Sequence, residues 1–185
     1  MNVYDFDNTI FDGDSTARFY RFCLNRHKKN LLLAPSMLAA AARCYVFKTR
    51  NKTQFKEVMY RFLRRCDTER DVADFWQREK TRIKPFYLAQ QQQDDIIISA
   101  SPLFLLEPVC RELGIRHLIA SRVDPKTGKY DGENCHGEEK VRRFREEFGD
   151  AVIDCFYSDS HNDDPLAKIA RKAYLVKGNE ITDWN

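Results

Sequence analysis

The sequence predicts an α/β fold: an open, parallel sheet flanked by helices, with a helical cap inserted after the first strand. Short apolar segments typical of buried strands begin near residues 3, 96, 117, 152 and 173, and helical patterns separate them. Between the first two strands, helical patterns occur alone. Because strands that alternate with helices favour a parallel sheet, we predict a core of residues 1–12 and 86–185 and a cap of residues 13–85.

The composition fits one soluble domain with a modest insertion. The chain has 185 residues, of which 43% are hydrophobic and 32% are charged. Its net charge of +3 is too small to indicate a nucleic-acid partner, so we predict none. The six cysteines form no C-x-x-C pair and no zinc-finger spacing. The sequence carries no signal for an oligomeric state.

The first predicted strand ends in two acidic residues, Asp5 and Asp7, and Thr9 follows. Residues two apart in a strand share a face, so both carboxylates can face one pocket at the strand end. This arrangement suits a nucleophilic carboxylate beside an acid/base carboxylate, with a hard metal ion between them. Acidic residues near a turn are also common as solvated loop residues, so the later segments decide between the two interpretations.

The predicted cap contains strongly amphipathic segments. Thr68 and Asp71 resemble a capping pair at the start of a further helix. Basic side chains of the cap, such as Arg18 and Arg43, could meet an acidic substrate or lie on a solvated helix face. Apolar residues at positions i, i+3, i+4, i+7, i+8 and i+11 form one helical stripe: Phe55, Val58, Met59, Phe62, Leu63 and Cys66.

Residues 31–47 form the most apolar part of the cap and are flanked by basic residues such as Lys28, Lys29, Lys48 and Arg50. The stretch is shorter than the roughly 20 residues of a membrane-spanning helix. One interpretation is a cap helix packed on its neighbours. The other is an interfacial segment that contacts anionic lipid at the membrane surface.

The second predicted strand leads to a possible anion cradle. The apolar residues 96–98 deliver Ser99 to a strand end, and Ser101 and Pro102 are predicted as the N-cap and first residue of a helix. A hydroxyl beside the backbone N–H groups of Ser99, Ala100 and Ser101 suits an anion. The alternative is an ordinary strand-to-helix turn. Pro108 is expected to kink this helix.

The last third of the chain supplies a cation and further acids. A hairpin is predicted around residues 124–128, then a helix from Glu138 with Lys140 in its first turn, where a cation gains nothing from the helix dipole. A strand near residues 152–157 ends at Asp159, and Asp163 follows. Considered singly, Lys140 could be a surface lysine and the acids a helix-capping turn.

Together these segments predict one site. In an open α/β sheet the ligand lies outside the carboxyl ends of the strands, so the segments should converge there. Three carboxylates, a hydroxyl, a cation and backbone amides are what phosphoryl transfer requires, because they hold a metal ion and balance charge on the phosphate oxygens.

The four motifs, in this order, resemble the haloacid dehalogenase superfamily, with its Rossmann-like core. Their details resemble the phosphoserine-phosphatase-like subgroup, which inserts a helical cap after the first strand. One departure is Ser158, which stands where most members have glycine. The motifs that carry the resemblance are Asp5-Phe6-Asp7-Asn8-Thr9, Ser99-Ala100-Ser101-Pro102, Gly137-Glu138-Glu139-Lys140 and Asp159-Ser160-x-x-Asp163.

The resemblance implies a Mg²⁺-dependent phosphomonoester hydrolase that forms an aspartyl-phosphate. Asp5 is then the nucleophile and Asp7 the acid/base residue. Lys140 and the substrate-binding residues Ser99, Ala100 and Ser101 are expected to hold phosphate oxygens. Thr9 is expected to bind substrate with these residues and to order the nucleophile loop.

The resemblance also implies the metal ligands. Mg²⁺ is expected on the Asp5 carboxylate, the Asp7 backbone carbonyl and Asp159. Asp163 is expected to support the site directly or through water.

The implied substrate is a small phosphorylated metabolite, phosphoserine-like, or a lipid phosphate. The segments around Lys140 and Asp159 are also similar to the phosphatidylglycerophosphatase C family, which favours peripheral membrane contact through residues 31–47. A phosphotransferase or phosphomutase of the same superfamily, and a catalytically silent phosphate-binding module, are the alternatives. Because Asp5 already belongs to the site, we expect no signal peptide, a cytoplasmic location and reduced thiols.

Overall fold

The sheet of this protein has six strands in the order β3-β2-β1-β4-β5-β6, in a computed structural model that describes residues 1–46 and 52–185. The first five strands are parallel and β6 runs antiparallel to β5. The predicted α/β fold with a parallel sheet is therefore confirmed. The strands are β1 (Asn2–Tyr4), β2 (Ile96–Pro102), β3 (His117–Ser121), β4 (Ile153–Ser158), β5 (Ala170–Lys177) and β6 (Glu180–Asp183).

Helices occupy most of the remaining chain. Short 3₁₀ segments and a π-helical turn lie between the α-helices. The 3₁₀ segments are Lys28–Leu33, Tyr60–Arg65, Lys80–Arg82 and His161–Asp163, and the π-helical turn is Ala42–Val46. The α-helices are α1 (Ser15–Arg26), α2 (Ala34–Ala41), α3 (Lys52–Met59), α4 (Thr68–Glu79), α5 (Pro85–Gln90), α6 (Leu103–Glu112), α7 (Glu138–Phe148) and α8 (Asp164–Ala167).

The central strands are apolar because both faces of the sheet are covered. Val3 of β1 pairs with Ile96 of β2 and Phe156 of β4, and all three side chains are fully buried. Parallel strands covered on both faces read as continuous apolar runs, which is why residues 96–98 were recognisable as a strand. This arrangement sets the carboxyl ends of β1, β2 and β4 side by side.

The described elements between β1 and β2 are all helical, as predicted for a cap. They are joined to the sheet by a buried aromatic cluster in which Trp76 of α4 meets Phe6 and Phe11 edge-on. The Trp76 indole N–H also donates to the carbonyl of Leu105 in α6, at 2.6 Å. The helical insert and the sheet thus share one apolar core. The division into domains at residues 12/13 and 85/86 stays a prediction.

Two predicted helix starts are wrong. Helix α6 begins at Leu103 because Ser101 and Pro102 still belong to β2, and the Ser101 hydroxyl is bonded to Asp7 instead of capping the helix. Helix α4 is capped by Asp67, whose carboxylate accepts from the backbone N–H of Arg70. At α4 the adjacent polar residues Asp67 and Thr68 offer similar capping signals, so the sequence does not separate them. At α6 the N-cap is Pro102, which makes no side-chain cap.

The amphipathic stripe of residues 55–66 is also divided differently from the prediction. It spans α3 and the 3₁₀ segment Tyr60–Arg65, and Phe62 and Leu63 are buried as predicted. Helix α6 continues through Pro108 to Glu112. Strand β6 is exposed along its length and was not predicted, because no apolar alternation marks it.

The apolar stretch at residues 31–47 spans part of a 3₁₀ segment, α2 and the π-helical turn. Phe47 and the basic flank with Lys48 and Arg50 lie outside the described residues. Within residues 1–46 and 52–185, no helix combines the length and apolar character needed to cross a membrane.

Candidate active site

A cavity of about 270 Å³ opens at the carboxyl ends of β1, β2 and β4. It lies where the topology predicts a ligand site for an open α/β sheet. The structure brings eight of the predicted site residues to its walls: Asp5, Asp7, Ser99, Ala100, Ser101, Lys140, Asp159 and Asp163.

Asp5 follows β1 directly and is held from several directions. Its backbone N–H donates to the carbonyl of Tyr157 in β4, which ties it to the neighbouring strand. Its Oδ1 accepts from Lys140 Nζ at 2.6 Å, and its Oδ2 accepts a longer bond of 3.4 Å from Thr9. Thr9 is fully buried behind this contact, so its position suits a residue that orders the Asp5 carboxylate.

Lys140 bridges two carboxylates. Its ammonium is 2% exposed and also donates to Asp163 Oδ2 at 2.7 Å. Burial alone would lower the pKa of Lys140, but Asp5 and Asp163 outweigh burial and hold this pKa above its usual value. Burial raises the pKa of Asp5, and Lys140 opposes that effect. Lys140 therefore stays charged, because loss of its charge would leave the Asp5 and Asp163 carboxylates buried without a cation, which is strongly unfavourable.

Ser158, at the end of β4, adds a hydroxyl to this network. It is fully buried, and its Oγ donates to Asp163 Oδ2 at 2.8 Å and accepts from the backbone N–H of Ser160 at 3.3 Å. The residue that departs from the family pattern thus contacts one of the predicted metal-site carboxylates.

Asp7 lies in a different environment from Asp5. Its Oδ1 accepts from the backbone N–H of Ser15, at the start of α1, at 2.6 Å, and its Oδ2 accepts from the Ser101 hydroxyl. Burial raises the pKa of Asp7 to about 6, with a further contribution from Asp14, although the bonds from Ser101 and Ser15 lower it. A carboxyl group with this pKa exchanges a proton near neutral pH, as an acid/base residue requires.

The carboxyl-terminal residues of β2 shape the opposite wall. The Ser99 hydroxyl is buried and accepts from the backbone N–H of Ser101 at 3.1 Å. The Ala100 carbonyl accepts from the Ser121 hydroxyl at 3.0 Å and from Lys56 Nζ at 3.5 Å. Of the three residues predicted to bind substrate here, Ser101 serves Asp7 as well as the cavity.

Several cavity residues were not predicted. Lys56 reaches the site from α3, and its ammonium donates to Asn134 Oδ1 at 2.9 Å. Asp14 caps α1, and Thr16 is 2.8 Å from the Ser101 hydroxyl. His136 also lines the wall. On sequence grounds Lys56 could not be told from a solvated lysine on the polar face of its helix. Asp14 carried an ordinary capping signal.

The donors in the cavity fit a hard divalent cation. Among the described residues that line it, five carboxylates face two lysines: Asp5, Asp7, Asp14, Asp159 and Asp163 against Lys56 and Lys140. Burial raises the pKa of Asp159, and the neighbouring Asp163 adds to this effect. A surplus of carboxylate oxygens around one cavity suits Mg²⁺, which prefers oxygen ligands.

Two known proteins are similar to this chain in sequence. A protein named CicA from Caulobacter vibrioides is 31% identical over 194 residues, which cover 94% of this chain and 85% of CicA. A probable phosphatase of Mycobacterium tuberculosis is 35% identical over 91 residues, which cover 45% of this chain and 32% of that protein.

A solved structure shares the fold. A phosphoserine phosphohydrolase-like protein from Francisella tularensis superposes with a TM-score of 0.58 at 14% identity, covering 94% of this chain and 86% of that chain. The profile of the haloacid dehalogenase-like hydrolases matches residues 3–168. The resemblance predicted from the four motifs is confirmed, and the chain belongs to the haloacid dehalogenase-like hydrolase family.

Proposed function

We propose that this protein is a Mg²⁺-dependent phosphomonoester hydrolase that acts through an aspartyl-phosphate on Asp5. The observation that carries the proposal is the pairing of two carboxylates with different partners in one cavity. Asp5 is held by a lysine ammonium, and Asp7 is held by a hydroxyl and a backbone amide. A carboxylate beside a buried ammonium suits a nucleophile, and a carboxyl group whose pKa is raised by burial suits an acid/base residue.

The two carboxylates divide the chemistry. An Asp5 oxygen attacks phosphorus, and the bond from phosphorus to the alcohol oxygen breaks. Asp7 in its protonated form donates its proton to the leaving alcohol and then, as carboxylate, takes a proton from the attacking water. That water releases phosphate and restores Asp5. The pKa of Asp7, raised to about 6, allows both states near neutral pH.

The remaining residues hold the phosphate and its charge. Lys140, the Ser99 hydroxyl and the neighbouring backbone amides at the end of β2 would contact phosphate oxygens. Mg²⁺ would be held by Asp5, the Asp7 backbone carbonyl and Asp159, with Asp163 in support. When bound, the metal ion balances charge on the phosphate oxygens.

The proposed substrate is a small phosphorylated metabolite, which suits a cavity of about 270 Å³. The name of the mycobacterial relative, a probable phosphatase, supports hydrolysis. Transfer of the phosphoryl group to a second metabolite is the alternative on the same residues, and a catalytically silent phosphate-binding module is a further alternative. The cytoplasmic location stays a prediction.

A specific observation also favours contact with a membrane surface. Leu31, Leu32 and Leu38 expose 59%, 74% and 73% of their area. Lys28 and Lys29 lie in the 3₁₀ segment that leads into them. Exposed apolar side chains beside cations suit the surface of an anionic membrane, so a lipid phosphate remains the alternative substrate class.

Turnover of p-nitrophenyl phosphate with Mg²⁺ tests the proposal. Asp5→Asn keeps the shape of the side chain but cannot attack phosphorus, so activity should fall by more than about a thousandfold. Asp12→Asn is a matched control, because Asp12 lies in the same loop and its exposed carboxylate pairs with Arg82. The Asp12→Asn control should retain activity. Excess chelator should abolish the activity of the wild-type protein and of this control.

Further measurements separate the alternatives. Phosphorus NMR with an added alcohol distinguishes release of inorganic phosphate from transfer to the alcohol. A screen of phosphorylated metabolites and lipid phosphates then ranks the substrates. Clear activity in Asp5→Asn would show that Asp5 is not the nucleophile. No turnover of any compound by the wild-type protein would favour the silent module.

A further inference from the structure

A second cluster of chemically active side chains lies in the helical insert. Cys23 on α1, Cys66 at the end of the 3₁₀ segment Tyr60–Arg65, and Asp71 on α4 come together there. One ligand atom from each lies within 4.8 Å of the other two. None of the three lines the active-site cavity. Their spacing in the sequence matches no metal-binding motif, so only the fold reveals the cluster.

The cluster contains buried oxygen atoms whose hydrogen-bonding capacity is unmet. Asp71 Oδ1 and Asn30 Oδ1 are both buried and accept no hydrogen bond. Arg26 Nε lies 3.1 Å from Asp71 Oδ1 as an ion pair, but without hydrogen-bond geometry. The Asn30 side chain is 1% exposed, and its amide nitrogen lies 3.7 Å from Cys66 Sγ. A buried acceptor without a partner is unfavourable, and both oxygens belong to one cluster.

We propose that Cys23, Cys66 and Asp71 bind a zinc ion in the helical insert, with Asn30 at the fourth position. Two thiolates favour a borderline-soft ion such as Zn²⁺ over Mg²⁺. For Zn–S of about 2.3 Å and Zn–O of about 2.0 Å, neighbouring ligand atoms of a tetrahedron lie about 3.3–3.8 Å apart. The 3.7 Å between Cys66 Sγ and the Asn30 amide matches this spacing, once the amide turns its oxygen inward.

Charge and protons balance at this site. Binding of Zn²⁺ displaces one proton from each thiol and forms two Zn–S bonds. With the Asp71 carboxylate included, the net charge of the occupied site is −1. Arg26, already paired with Asp71, offsets that charge. His27 Nε2 lies 2.7 Å from Asp71 Oδ2 and would fix the carboxylate so that Oδ1 faces the metal.

Four protein ligands leave no open position for a substrate, so the site is structural. The zinc ion would join four elements at one point: α1, the 3₁₀ segments Lys28–Leu33 and Tyr60–Arg65, and α4. The activity of the enzyme would then depend on zinc only through the stability of the insert.

Cobalt serves as the spectroscopic probe of the site. Reduced, metal-free protein is titrated with Co²⁺ in excess Mg²⁺, which occupies the carboxylates of the active site. We expect sulfur-to-cobalt charge-transfer absorption that saturates at one cobalt per chain and disappears when an equivalent of Zn²⁺ is added. In the unmodified protein, Zn²⁺ should also slow alkylation of Cys66 by about tenfold or more, with no effect on Cys155.

Two variants and a control test the ligands. Cys66→Ser should weaken zinc affinity by about tenfold or more, and Asp71→Asn should weaken it to a similar degree. Cys155→Ser, at a half-buried cysteine of β4, should bind as the wild type does. Circular dichroism identifies any variant that fails to fold, and the alkylation experiment needs no variant.

Three results would overturn the proposal. One is the absence of charge-transfer absorption in folded, reduced protein. The second is equal cobalt binding by folded Cys66→Ser. The third is a Cys23–Cys66 disulfide that forms in air, in a protein that binds no zinc after reduction, which would assign the pair to redox chemistry.

Discussion

The Ser158 hydroxyl and the Lys140 ammonium donate to the same oxygen, Oδ2 of Asp163, at 2.8 and 2.7 Å. These two bonds fix the orientation of a carboxylate that lines the cavity. Most members of the family have glycine where this chain has Ser158, and glycine cannot make the first bond. Ser158 is therefore a positioning residue for the proposed metal site.

The first prediction concerns Ser158. Ser158→Gly should raise the Mg²⁺ concentration needed for half-maximal activity by about tenfold, because partners that orient a metal-site carboxylate typically affect affinity by 10–100-fold. At saturating Mg²⁺ the turnover number should change little. Ser36→Ala, on α2 and outside the cavity, is the control. An unaltered Mg²⁺ titration in Ser158→Gly would contradict the role of this hydroxyl.

The second prediction separates Asp7 from Asp5. Asp7→Asn cannot donate a proton, so hydrolysis of alkyl phosphates should fall by about a hundredfold to ten-thousandfold. Formation of the phosphoenzyme from p-nitrophenyl phosphate should be less impaired, because p-nitrophenolate leaves without a proton. Rapid-quench measurement of the burst with both substrates checks this. Equal losses for the two substrates would show that Asp7 does not act as the general acid.

The third prediction concerns stability and pH. Glu139 on α7 accepts from Arg142 and Arg143 at 2.6–2.7 Å, and these bonds, led by Arg142, lower its pKa to about 2 although burial opposes them. A carboxyl group whose pKa is lower in the folded state stabilises the fold above its unfolded pKa of about 4.3 and loses that effect as pH falls toward 2.

Glu139→Gln should therefore lower the free energy of unfolding by about 1–2 kcal/mol at pH 7, a value reduced for the solvent exposure of Arg142. The difference from the wild type should shrink between pH 5 and pH 2 in urea titrations. Glu147→Gln, at an exposed position of the same helix, should change the free energy by less than about 0.5 kcal/mol. A difference that is constant with pH would rule out the ion pairs as its origin.

The fourth prediction tests the membrane surface. The protein should sediment with anionic vesicles at low salt and less as salt rises, because Lys28 and Lys29 act through screened charge. The double variant Leu32→Ser and Leu38→Ser should bind more weakly, since it loses exposed apolar surface. Leu88→Ser, at a leucine 52% exposed on α5, is the control. If the protein does not sediment with the vesicles at low salt, Leu32 and Leu38 are ordinary surface residues of the insert and the membrane contact is ruled out.

The sequence predicted the sheet and the cavity because both depend on strong local signals. Apolar runs that end in acids mark the carboxyl ends of β1 and β4, and parallel topology brings those ends together. Asp5, Asp7, Lys140 and Asp159 could therefore be placed in one site before any geometry was known.

Features that depend on long-range contacts were not predictable. Lys56 enters the cavity only because the insert folds back over the sheet, and Cys23 meets Cys66 only through helix packing. The start of α6 was misplaced because Ser101 has two possible uses, as a helix cap or as a partner of Asp7. That choice depends on a residue 94 positions away.

Phe6 stands between the two carboxylates in the chain, and its buried ring packs 5.7 Å from Phe11 and 6.0 Å from Trp76 of the insert. Phe6 thus links the loop that carries Asp5 and Asp7 to helix α4 of the insert. We therefore expect a mutation that loosens Trp76 to disturb both carboxylates and slow the proposed reaction, although Trp76 does not line the cavity.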